Sequence, residues 1–102
     1  MRVPDDDHDI LVYSNLDSPS GRSGITVWAS FDGGETWPLQ RMVYEGGSAY
    51  SSLAAGHPET PAEGMIFLLY ERGSDIHLAR FNLEWIADGA DWRTHLDEGA
   101  EQ

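Results

Sequence analysis

Apolar and polar positions alternate in short runs along this chain, and clusters of turn-forming residues separate the runs. The alternation predicts strands at Ile10–Ser14, Gly24–Ser30, Leu39–Tyr44, Ala49–Ala54, Met65–Tyr70 and Ile76–Asn82. Between them lie Asp17-Ser18-Pro19-Ser20-Gly21, a Gly-Gly turn at 30–37, Glu45-Gly46-Gly47, the stretch 57–64 and Arg72-Gly73-Ser74-Asp75. Helical periodicity is weak throughout. Strands at roughly ten-residue spacing predict an all-β, antiparallel fold: a sandwich, a barrel or propeller blades. Leu83-Glu84-Trp85-Ile86 either prolongs the last strand or makes a single turn. The pattern divides the chain into an acidic segment at 1–9, a strand-rich unit at 10–86 and an acidic tail at 87–102, expected to be loosely ordered.

Composition narrows the function classes. The 102 residues hold 18 acidic and 6 basic side chains, for a net charge of −12, and every base is Arg. A chain this acidic is repelled by phosphate, so neither nucleic acid nor an anionic membrane is an expected partner. The absence of cysteine removes disulfides, thiolate metal sites and a thiol nucleophile. No apolar run approaches a membrane span. The opening Met1-Arg2-Val3-Pro4, followed by acids, does not resemble a secretory signal, and the sequence assigns no compartment. Asp5-Asp6-Asp7-His8-Asp9 reads as solvated loop acids, and His8, His57, His77 and His95 lack ligand spacing. No metal and no organic cofactor is expected.

The densest local signal is Ser30-Phe31-Asp32-Gly33-Gly34-Glu35-Thr36-Trp37. Ser30 and Asp32 carry short side chains able to bond nearby backbone amides, and the glycines tolerate positive φ. Thr36 restarts a strand, and Trp37 can pack on the edge of the sheet. The segment fits S-x-D-x-G-x-T-W through Ser30, Asp32, Gly34, Thr36 and Trp37, and so resembles the Asp-box (BNR repeat) of sialidase β-propellers. No second copy is visible in the chain.

Three further segments resemble the C-terminal part of bacterial exo-α-sialidases (neuraminidases), in that family's order. Ile10-Leu11-Val12-Tyr13-Ser14-Asn15 leads into Gly21-Arg22-Ser23, Ser48-Ala49-Tyr50-Ser51-Ser52-Leu53 follows the Asp-box, and Leu69-Tyr70-Glu71 comes last. The resemblance implies about one and a half antiparallel four-stranded blades of a six-bladed propeller. It also implies the family's chemistry, a retaining hydrolysis of terminal α-linked sialic acids. Arg22 would be the third arginine of a carboxylate clamp, where a guanidinium makes paired bonds to the sugar acid. Tyr50 would be the nucleophile, suited to a substrate whose own carboxylate repels an attacking Asp or Glu. Glu71 would orient the first arginine of the clamp. Tyr13, Tyr44 and Tyr70 read as packing residues.

The first two arginines, the aspartate acid/base and the glutamate base lie upstream in that family and match nothing in this sequence. The chain is therefore expected to be inactive alone, and to meet sialylated glycans or sialosides only if its site is completed. The alternative is a non-catalytic propeller fragment that self-associates or binds a partner through open sheet edges. A sugar-binding module using exposed aromatics is a third reading, one that would not depend on Arg22.

Overall fold

Apolar alternation becomes a strand because it lets the strand bury at least one face, and in most strands leaves the other towards solvent. A computed structural model of the protein describes residues 1–4, 8–19, 22–90 and 92. Among these, the strands are β1 (Arg2–Val3), β2 (Ile10–Leu16), β3 (Ser23–Ser30), β4 (Leu39–Gly47), β5 (Ser51–Ala55), β6 (Ile66–Arg72) and β7 (Asp75–Phe81), followed by one helical turn, α1 (Leu83–Ile86). They form two antiparallel sheets, one ordered β1-β2-β3-β4 and the other β5-β6-β7. The fold is all-β, and a four-stranded meander beside a three-stranded one is consistent with a propeller-blade fragment.

All six expected strands are present, with differences at their ends. β1 was not foreseen, since two residues carry no periodicity. It forms because Arg2 and Val3 pair with Leu11 and Ile10, while the terminal ammonium donates to the Val12 carbonyl at 2.9 Å. β4 runs on through Gly46 and Gly47, which the sequence placed in a turn. A Cβ on Gly46 would collide with the hydroxyl and ring of Tyr44, so this glycine makes room for a folded-over ring. At Leu83 the chain turns instead of extending the strand. The Asn82 side chain accepts the Trp85 N–H at 2.9 Å and caps that turn.

The two sheets share one core. Val12 faces Ala29, and Ser14 faces Val27, on the inner side of the first sheet. On the second sheet Ile66 faces Phe81, and Leu68 faces Leu53 and Ala79, again on one side. Val12, Val27, Ala29, Ile66, Leu68 and Phe81, with Ile10, Ile25, Tyr70, Leu83 and Ile86, belong to a single buried cluster, against which Leu53 and Ala79 pack. A hydrogen bond between the Ser14 and Ser51 hydroxyls, 2.8 Å long, joins the sheets at its margin. Arg41 closes another margin. Its guanidinium lies 4.1 Å from the centre of the Trp85 ring and donates to the Trp85 carbonyl at 2.8 Å. Trp92, in the stretch read as a loose tail, stacks on Phe31 with centroids 5.9 Å apart.

The outer side of the second sheet has no such cover. Leu69, Ile76 and Leu78 share that side and are 48, 70 and 63% exposed.

Truncating the core should follow the burial. Leu68→Ala is expected to cost about 2–5 kcal/mol and Ile66→Val about 0.5–1.5 kcal/mol in urea unfolding. Equal, small losses at both positions would contradict a core shared by the two sheets.

Candidate functional site

The turn at 30–37 joins β3 to β4, and its bonds are those its residue types suggest. The Ser30 hydroxyl donates to Asp32 Oδ1 at 2.8 Å and accepts the Gly34 N–H at 2.9 Å. Asp32 accepts the Thr36 N–H at 2.9 Å and the Thr36 hydroxyl at 2.6 Å. Gly33 and Gly34 have φ of 73° and 98°, the left-handed region. Trp37 packs on Tyr13 across the outer side of the sheet, with centroids 6.0 Å apart. The bonds from Thr36, then that from Ser30, hold the Asp32 carboxyl at about 2, well below its ordinary range. The carboxylate is fully engaged in holding the turn.

Arg22, Tyr50 and Glu71, the residues singled out by the resemblance, lie at the other end of β3. Ser23 opens that strand and Ser30 closes it, so the two ends lie about 23 Å apart at an ordinary strand rise. At the Ser23 end the three residues are brought together through main-chain bonds. The Ser48 N–H donates to the Arg22 carbonyl at 2.9 Å. The Ser48 hydroxyl donates to the Glu71 carbonyl at 2.5 Å, and the Glu71 N–H donates to the Tyr50 carbonyl at 3.1 Å.

Tyr50 stands just before β5, not inside it, because pairing with β6 begins at Ser51. Its side chain is 79% exposed. Glu71 is half-buried near the end of β6, and Arg22 is exposed just before β3. Tyr50 and Glu71, with Ser52, Leu69 and Ile76, line a shallow, mostly apolar cleft of about 180 Å³. Gly21, Asp5, Asp6, Asp7 and His95 lie outside the described residues. Among the described residues no three His, Asp or Glu side chains are grouped to hold a metal ion.

Two features of this end were not singled out from the sequence. Ser48 is a buried polar residue within a segment read only for its tyrosine. Its signal is faint: a lone serine after two glycines, where the apolar alternation stops. The other is aromatic support behind the site. The Arg72 guanidinium lies 4.3 Å from the centre of the Tyr44 ring, and Tyr44 meets buried Tyr70 with centroids 6.3 Å apart.

No protein-family profile matches the chain. A curated relative, a sialidase of Micromonospora viridifaciens, is 39% identical to it over 77 residues. That match covers 76% of this chain and 11% of the relative. The chain is thus related to a sialidase over most of its own length, and spans a small part of that protein.

Asp32 gives the turn a pH signature. Its folded value lies below that of an unfolded carboxyl, so its contribution is full above about pH 4 and lost as pH falls towards about 2. Asp32→Asn is expected to melt below the parent near neutrality, with the gap closing across that window. A gap that stays constant with pH would show that the charge is not what matters.

Proposed function

We propose that the chain is a C-terminal piece of the catalytic propeller of a bacterial exo-α-sialidase of the Asp-box family. The observation that supports this most is the convergence on Ser48. Ser48 bonds the carbonyls of Arg22 and Glu71, and the Glu71 N–H bonds the Tyr50 carbonyl, all at the end of β3 remote from the Asp-box. The relationship to a sialidase supports the same reading.

In this reading Arg22 binds the sialic acid carboxylate together with two arginines supplied from outside these 102 residues. The Tyr50 oxygen attacks the anomeric carbon as the bond to the departing sugar oxygen breaks. An aspartate, also supplied from outside, protonates that oxygen, and a glutamate takes the phenol proton. Water then attacks the same carbon and gives its proton to the aspartate, while the bond to Tyr50 breaks and the glutamate returns the proton to the phenol oxygen, so configuration is retained. Glu71 holds an arginine of the clamp in place. The chain alone offers one arginine of the clamp and a nucleophile without its base. Its expected partners are sialosides once the site is completed.

The exposed side of the second sheet favours a second reading, a fragment that self-associates without catalysis. Leu69, Ile76 and Leu78 form an apolar strip there. The net charge of −12 opposes close approach of two copies.

Release of fluorophore from an aryl α-sialoside tests the first reading. The chain alone should give no turnover, and any turnover seen at high concentration should vanish in Tyr50→Phe. Activity that survives Tyr50→Phe would rule out the assigned nucleophile. Sedimentation tests the second reading. A concentration-dependent oligomer that Leu78→Glu returns to monomer would support association through this side, and a monomer at all concentrations would end it.

A further inference from the structure

We propose that Ser48 is a positioning residue that sets where Tyr50 stands relative to Arg22 and Glu71, an inference that rests on the sialidase reading above. Ser48 is 8% exposed, and its polar groups are committed to segments of both sheets. Its N–H bonds the carbonyl of Arg22, at the start of β3. Its hydroxyl bonds the carbonyl of Glu71, on β6. One residue therefore ties the first sheet to the second, two positions before Tyr50.

A second tie lies on the other side of the tyrosine, where the Ser51 hydroxyl meets the Ser14 hydroxyl of β2 at 2.8 Å. The Gly73 N–H also donates to the Gly47 carbonyl at 3.1 Å, holding the segment before Ser48 to the β6–β7 turn. Tyr50 is thus held between two serines: Ser48, bonded to segments of both sheets, and Ser51, bonded from β5 to β2.

The exposure of Tyr50 makes this matter. A phenol that is 79% exposed is not fixed by packing, so its position is set by the main chain on either side. A nucleophile displaced by about 1 Å loses much of the advantage of being held near its target. Without the Ser48 hydroxyl, the Glu71 carbonyl loses its side-chain donor and the Tyr50–Glu71 main-chain bond loses its brace. Threonine keeps the hydroxyl and alanine does not, so these two variants separate the bond from the bulk.

The test is amide hydrogen exchange by NMR on the parent chain, Ser48→Ala and Ser48→Thr. Exchange at the Glu71 amide should speed at least about tenfold in Ser48→Ala and stay within about threefold of the parent in Ser48→Thr. The amides of Val27 and Leu68, in the central strands, should be unchanged in both. An unchanged Glu71 amide in Ser48→Ala overturns the proposal. So does equal acceleration at Glu71, Val27 and Leu68, which would make Ser48 a general stability residue.

A titration with free sialic acid on the same samples adds a ligand readout. Shifts at Arg22, Tyr50 and Glu71 that weaken about fivefold or more in Ser48→Ala, and persist in Ser48→Thr, support positioning of the site. If the parent chain shows no shift at these residues, as the missing arginines of the clamp predict for the chain alone, the hold of Ser48 on Tyr50 is decided by exchange, and the sialidase reading is decided separately by the aryl α-sialoside assay.

Discussion

The stacking of two antiparallel sheets through a single apolar layer is the constraint on which the rest of this protein depends. Val12, Val27 and Ala29 on one side, and Ile66 and Leu68 on the other, are fully buried. Burying side chains of this kind is worth about 1.5–3 kcal/mol each before the entropy of ordering is set against it. The layer also fixes how β3 lies relative to β6. That relation lets the residue before β3 and the last turns of β6 meet the same serine. Without the stack, Arg22 and Glu71 would belong to unrelated strands.

The charged residues follow a related logic. All six bases are arginine, and two of them lie over aromatic rings, Arg41 on Trp85 and Arg72 on Tyr44. A planar guanidinium can cover a ring and still donate hydrogen bonds, which a compact ammonium does less well. Arg41 does both, and Arg2 pairs with Asp9 at the exposed start of the chain. Exposed ion pairs add little stability, so the surplus of acids on this surface is held in check mainly by solvent and salt.

The strands and the turn at 30–37 were legible in the sequence because their causes are local. Alternation within five to nine residues marks a strand, and the side chains of Ser30, Asp32 and Thr36 bond to one another and to amides within the turn. β1 was hidden because its pairing partner lies across a loop. Gly46 reads as a turn residue until the Tyr44 ring is seen to need its space. The proximity of Arg22, Tyr50 and Glu71 could be suspected only through resemblance, since no spacing rule connects three separate strand ends. Ser48 was the hardest to foresee. Its importance lies wholly in carbonyls at Arg22 and Glu71, and a carbonyl has no letter of its own in a sequence.

The carboxylate of Asp32 carries one last consequence. Its oxygens are already occupied by donors from Ser30 and Thr36, all within seven residues of chain. It therefore has little to offer a proton, a metal ion or a substrate. The hydrogen bonds that hold this carboxylate come from within the turn, while the Gly33 N–H bonds the Asp9 carbonyl and Trp37 packs on Tyr13 outside it. Such a loop is portable: it can close any hairpin of suitable twist, whatever chemistry the far end of the sheet performs.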